Sequence, residues 1–179
     1  TAVPAGGVRS LARDFVTLTK PRIISLLLVT TIAPMFVAGR PGWELVLVVF
    51  IGGYLMGGGA NAVNMYLDRD IDDRMSRTRL RPIPAGRMQP REVLAFGLLL
   101  ATTATFLLAR YANVLTAALA LGGIYSYVFL YTCWLKRSTP QNIVIGGAAG
   151  AFPPLVGWAA VTGSLDLMAV YLFLIVFYW

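Results

Sequence analysis

Long apolar runs alternate along the chain with short polar stretches that are rich in arginine and lysine. Six runs, at residues 23–38, 45–67, 93–109, 114–135, 143–161 and 165–179, have the length and composition of membrane-spanning segments. A segment in lipid must satisfy its own backbone hydrogen bonds, so all six are predicted to be helices. Pro34, Pro153 and Pro154 fall inside them and are tolerated there more readily than in soluble helices. Residues 1–18 are expected to form an N-terminal tail, with 1–8 mobile. The sixth run is still apolar at Trp179, so the chain is expected to be the N-terminal part of a longer protein, built as a single transmembrane domain over 1–179.

Composition supports this all-α, polytopic reading. Of 179 residues, 58% are hydrophobic and only 13% charged. The one cysteine, Cys133, lies in an apolar run, makes no internal disulfide and is expected to be a small buried hydrophobe. The absence of histidine excludes Ser-His-Asp triads, Cys-His dyads and histidine-based metal sites within these residues. The net charge of +7 changes the picture through its placement. Thirteen of the fifteen basic residues lie before the first span or in the loops after the second and fourth, and only Arg40 and Arg110 lie opposite. This alternation is a topology signal rather than a nucleic-acid surface, and it puts the N-terminus and the even loops on the cytoplasmic side. Trp43, Trp134 and Trp158 lie near span ends and are expected to be interfacial anchors.

The candidate chemistry sits where the second span leaves the membrane. At about 100° per helical residue, Asn61, Asn64, Asp68 and Asp72 share an arc of about 80° on one face. Asp70 falls on the other side, where Arg74 is spaced to pair with it. Two carboxylates one turn apart repel, typically by a few tenths of a kcal/mol, so something must offset them. Mg2+ suits this pattern because it takes one or two carboxylates and fills its remaining positions with water and phosphate oxygens. Asparagine can add an oxygen ligand or donate its amide to phosphate. The arginines of the following RMSRTRLRPIPAGR segment can grip phosphate in bidentate fashion. The plainer alternative is that Asp68 and Asp72 form ion pairs with nearby arginines, but this leaves the two asparagines without a role. A cation path through a transporter is a second alternative. Gly53/Gly57 and Gly146/Gly150 allow close helix approach, with room for a chain-like ligand as the other reading. Pro82, Pro84, Gly86 and Pro90 are expected to shape the loop and restart a helix.

The Asn-x-x-x-Asp-x-x-x-Asp pattern after a glycine-rich span resembles the first aspartate motif of the UbiA superfamily of intramembrane prenyltransferases. LTKPRIISLLLVTT, NAVNMYLDRDIDDRMSRTRLRPIPAGR and YTCWLKRSTPQNIVIGGAAGAFPPLVGWAAVTG are similar to the haem-farnesylating branch, and the likeness runs from about Leu18 onward. It implies a bundle of roughly nine helices around a cavity, with lipid as the surroundings and terminal-oxidase assembly proteins as possible partners; the short leader without an Arg/Ser-rich amphipathic segment favours the bacterial inner membrane over the mitochondrial one. The likeness implies Mg2+-dependent transfer of farnesyl from farnesyl diphosphate to a vinyl group of haem B. Asn64, Asp68 and Asp72 would be the catalytic metal motif. Asn61, Arg22, Arg77, Arg81, Lys136 and Arg137 would bind diphosphate, and Tyr131 would line the substrate pocket. The superfamily's second aspartate motif and a histidine-bearing segment do not occur in these residues, so the chain alone is expected to be inactive. A sister enzyme acting on a quinone or chlorophyll precursor is the nearest rival.

Overall fold

The computed structural model describes residues 8–138 and 141–178, and of 8–10 and 137 the backbone only. The elements are α1 (Val8–Thr19), α2 (Pro21–Ala38), α3 (Trp43–Leu67), α4 (Arg69–Arg74), α5 (Pro90–Tyr111), α6 (Val114–Leu135), α7 (Asn142–Thr162) and α8 (Leu167–Tyr178), with one helical turn at Lys136–Ser138. Among the described residues there is no strand. The five helices α2, α3, α5, α6 and α7 are long and apolar enough to cross a membrane, and α8 is a shorter apolar helix. The chain is an integral membrane protein with the expected all-α architecture.

The helix ends follow local chemistry. Pro90 opens α5 at a position that needs no amide donor, and Gln89 and Glu92 close a capping box around it. Asn113 caps α6: its side-chain oxygen accepts from the Thr116 amide at 2.8 Å, while its own amide donates to the Ala159 carbonyl, also at 2.8 Å. That second bond ties the start of α6 to the end of α7. In the loop before α5, Gly86 takes a left-handed φ of 69°, which glycine adopts without steric cost. The amides of Arg87 and Met88 both donate to the Pro82 carbonyl.

The five long helices close into a ring: α2 packs on α3, α3 on α5, α5 on α6, α6 on α7, and α7 back on α2. α8 packs outside, on α7. Between helices in lipid, close packing must supply what the hydrophobic effect does not, and small residues allow it. At the α3–α5 crossing, a Cβ on Gly59 would stand 2.7 Å from the Gly97 carbonyl oxygen. At the α2–α7 crossing, a Cβ on Gly157 would collide with the Thr31 carbonyl oxygen. One core, around Met35, Val49, Met56 and Leu108, fills the half of the ring away from the aspartates. A second, around Leu18, Met65, Ile83 and Val93, joins α1 and the long loop to α3 and α5 at the aspartate end.

Three expectations change. Most of the expected tail is helical: α1 buries Leu18, sets Phe15 edge-on to Phe96 at 4.9 Å between ring centres, and pairs Asp14 with Arg87 at 3.1 Å. Residues 1–7 lie outside the described residues. Trp43 and Trp134 are exposed, as anchors should be, but Trp158 is buried. It lies on the face of α7 turned into the bundle, three residues before a helix end that sequence reasoning placed at the interface. Cys133 is exposed rather than buried, because its position on α6 faces outward, where lipid would lie.

Gly157→Ala is expected to force α2 and α7 apart and cost about 1–3 kcal/mol, the usual penalty of overpacking. Thermal unfolding in detergent checks this, with Gly42→Ala as control, since a Cβ at Gly42 meets nothing within 4 Å.

Candidate functional site

α3 delivers the polar stripe. Asn61 and Asn64 are buried in its last two turns, and Asp68 follows at the junction with α4. The backbone at Asp68 departs from helical values, with φ −84° and ψ 0°. The Asp72 amide nevertheless donates to the Asp68 carbonyl at 2.8 Å, so the one-turn spacing persists and the stripe stays on one side. Asp68 is 2% exposed and Asp72 3%. Asp70 and Arg74 lie exposed on α4, away from this cluster.

Two buried carboxylates so placed demand cations, and these arrive from separate segments. Lys136, at the end of α6, donates through Nζ to Asp68 Oδ2 at 2.6 Å. Arg81, in the long loop, donates through Nη1 to Asp72 Oδ2, also at 2.6 Å. Thr78 adds a bond from its hydroxyl to the Asp72 carbonyl. The ion-pair alternative is thus realised in part, with an arginine at Asp72 and a lysine at Asp68. It leaves a remainder: Asp68 Oδ1 is buried and has no hydrogen-bond partner among the described residues. A buried, unsatisfied carboxylate oxygen is costly unless something else binds it. Among the described residues no group of three or more acidic, histidine or cysteine side chains gathers. The donor set is two carboxylates and an asparagine. It is too small to cage a cation, and it suits Mg2+, which draws its other ligands from water and phosphate.

Sequence reasoning missed Lys20. This residue, between α1 and α2, has left-handed dihedrals (φ 53°, ψ 64°), rare for a side-chain-bearing residue and narrowed further by Pro21. Such strain costs about 1–3 kcal/mol and persists only where its surroundings enforce it. Here the Asn61 amide donates to the Thr19 carbonyl at 3.0 Å, and the Thr19 hydroxyl lies 3.2 Å from the Tyr54 hydroxyl, pinning the corner from α3. Burial lowers the Lys20 ammonium from 10.5 to about 8; Arg81 adds to the fall, while Asp72 and Asp68 oppose it. Lys20 therefore lies within electrostatic reach of Asp68, Asp72 and Arg81. Arg22, the basic residue expected at this helix end, is exposed, as is Arg77. The two positions are two residues apart, and only the backbone turn at Lys20 decides which faces inward. The Arg137 side chain lies outside the described residues.

The last ten residues of α6, Ser126–Leu135, form a π-helix. The Lys136 amide continues it, donating five residues back to Tyr131. At about 100° per residue, Tyr127, Tyr131, Thr132 and Lys136 would spread over half the helix circumference. At the roughly 80° of a π-helix they share an arc of about 80°. Widened turns of this kind recur at functional sites. Here the Tyr127 and Tyr131 rings stack at 6.0 Å with 10° between their planes. The Thr132 hydroxyl reaches Asn64 Oδ1 at 2.8 Å and the Tyr127 carbonyl at 2.9 Å. Asn64 is thus oriented by α6.

Behind the cluster, a cavity of about 470 Å³ lies between α2, α3, α6 and α7. Asn61, Tyr127 and Tyr131 line its aspartate end, and Thr31, Met56 and Val156 line its inner part. Its walls are otherwise almost wholly apolar. Gly53, Gly57, Gly146 and Gly150 all border it, so both glycine pairs serve close packing and open space together. Four helices, α2, α3, α6 and α7, line this cavity, which remains partly open.

Curated relatives are similar in sequence. The chain is 57% identical over 175 residues to the protoheme IX farnesyltransferase of Roseiflexus castenholzii, which covers 97% of the chain and 33% of that relative. It is 57% identical over 171 residues to the enzyme of the same name from Symbiobacterium thermophilum, covering 94% and 57%. Against that of Thermus thermophilus it is 53% identical over 180 residues, covering 99% and 30%. The chain thus spans between about a third and just over half of the length of these relatives. No solved structure matches it. Residues 26–179, which carry the aspartate stripe, the π-helix and the cavity walls, match the UbiA prenyltransferase family, and the chain belongs to that family.

Proposed function

We propose that this chain forms the diphosphate-binding half of a prenyltransferase that moves a farnesyl group from farnesyl diphosphate to a vinyl group of haem B. The observation that carries the reading is Asp68 Oδ1, buried without a partner among the described residues while Lys136 holds Asp68 Oδ2. The acceptor rests on the names of the relatives, all protoheme IX farnesyltransferases. The proposed setting is a bacterial inner membrane, with the aspartates and the N-terminus on the cytoplasmic side, a placement that the distribution of basic residues supports.

In this reading Asp68 and Asp72 hold Mg2+, which when bound neutralises the charge that gathers on a departing diphosphate. Lys136, Arg81 and Lys20 turn toward diphosphate oxygens, and the Asn64 amide donates to another. Once they hold the diphosphate, these groups stabilise charge where it develops. Asn61 acts mainly as a support: its amide is committed to the Thr19 carbonyl and so holds Lys20 in place. The isoprenoid chain lies in the cavity, where apolar walls keep water from the allylic cation. The stacked Tyr127 and Tyr131 rings present π faces that favour a cation. The vinyl group is a π nucleophile and requires no strong base.

Three outcomes are expected for the full-length protein in membranes. Given haem B, farnesyl diphosphate and Mg2+, it should form farnesylated haem, read by mass spectrometry. Prenylation of a quinone precursor instead would keep the site and change the acceptor; no transfer to either acceptor by folded protein would overturn the reading. Asp68→Ala and Asp72→Ala should each abolish turnover while the protein still inserts, and substantial activity in either would refute the metal site. Lys20→Met should weaken prenyl diphosphate binding by roughly tenfold or more, the scale of one lost charge-assisted hydrogen bond, whereas Arg22→Met should leave it nearly unchanged; equilibrium binding of radiolabelled diphosphate ester distinguishes the two.

A further inference from the structure

The four cavity glycines are not equivalent. A Cβ on Gly53 would stand 3.0 Å from Leu28, on Gly57 3.4 Å from Ile24 and on Gly146 2.5 Å from Tyr131. Each of these three is in contact with a side chain on a neighbouring helix. A Cβ on Gly150 meets nothing within 4 Å. Packing therefore explains the first three and not the fourth, although glycine in a helix interior costs about 0.5–1 kcal/mol relative to alanine.

What glycine leaves at position 150 is room inside the cavity. Gly150 lies one helical turn beyond Gly146, about 6 Å further along α7. Gly146 meets Tyr131 near the aspartate end, whereas Pro153 and Val156 lie deeper along the same wall. A side chain at 150 would project between these two parts and separate the mouth from the inner space around Thr31 and Met56.

We propose that Gly150 is a specificity-determining position, which sets the length of isoprenoid chain the cavity accepts by leaving the passage to its inner part open. This rests on the cavity being the isoprenoid site, as proposed above. A chain that ends before position 150 tolerates a side chain there, whereas a longer one collides with it. Because no described residue occupies that space, the substitution is expected to act on the ligand and not on the fold.

A structural alternative exists. Pro154 has no amide to donate to the Gly150 carbonyl, so α7 is weakened here and a glycine could ease a bend. The two accounts differ in outcome. A bend-easing glycine, when replaced, lowers stability and affects all substrates alike. A length gauge, when replaced, leaves stability intact and changes the ranking of substrates.

The test uses the full-length protein in membranes, with geranyl and farnesyl diphosphates in competition. Gly150→Leu is expected to lower the farnesyl-to-geranyl ratio of kcat/KM on the order of tenfold or more, since misfit by even one methylene is worth about that much. Gly150→Ala should shift the ratio less, in the same direction, with an unchanged or raised Tm, and it decides the matter if the leucine variant does not assemble. An unchanged ratio in active variants, or equal loss with both substrates, overturns the proposal. A wild-type protein that transfers neither chain overturns the functional reading itself, so the two failures are distinguishable.

Discussion

Two carboxylates buried one helical turn apart at the membrane surface are the constraint around which this half of the protein is organised. Each would be costly alone, and together they repel. The chain meets that cost with cations from three segments that are distant in sequence. Lys136 comes from the end of α6, Arg81 from the long loop and Lys20 from the corner before α2. Much of the nearby structure serves to deliver them. α1 and the long loop are locked together through Asp14 and Arg87 and share one small core with α3 and α5. Asn61 holds the Lys20 corner. What remains after this compensation is one buried oxygen of Asp68, which gives the site capacity for a ligand rather than mere neutrality.

The parts of this arrangement that depend on regular periodicity were legible in the sequence. The long helices follow from the apolar runs, and the stripe of Asn61, Asn64, Asp68 and Asp72 follows from helical spacing because the hydrogen bond from Asp72 to Asp68 carries the turn across the α3–α4 junction. The parts that depend on irregular backbone were not. A left-handed residue before a proline has no sequence signal, and so Arg22 was expected at the site and Lys20 was not. The π-helix is equally silent: under α-helical spacing Thr132 lies about 100° from Tyr131 and about 140° from Tyr127, and its bond to Asn64 cannot be anticipated. α1 was missed because its apolar positions are few and its charges resemble those of a solvated tail, although its amphipathic pattern was there to be read.

The glycines show how one residue type serves two ends in a membrane bundle. At Gly59 and Gly157 the absent side chain lets backbones meet, which substitutes for the hydrophobic driving force that lipid removes. At Gly150 the absent side chain leaves space. The ring of five helices is therefore tight at its crossings and open between α2, α3, α6 and α7, and the opening begins beside the charged cluster. An ionic mouth joined to an apolar interior suits an amphiphile with a diphosphate head and a hydrocarbon tail, in keeping with membership of the UbiA prenyltransferase family.

The central claim is that Asp68 and Asp72 hold a divalent cation that a diphosphate group shares. It is tested most directly by electron paramagnetic resonance of Mn2+, used in place of Mg2+, with the full-length protein and a non-hydrolysable farnesyl diphosphate analogue. The account predicts one bound Mn2+ per protein with resolved coupling to phosphorus, and loss of that bound ion in Asp68→Asn protein that still folds. Mn2+ that binds equally well to the Asp68→Asn protein, or that shows no phosphorus coupling in the wild type, would contradict it.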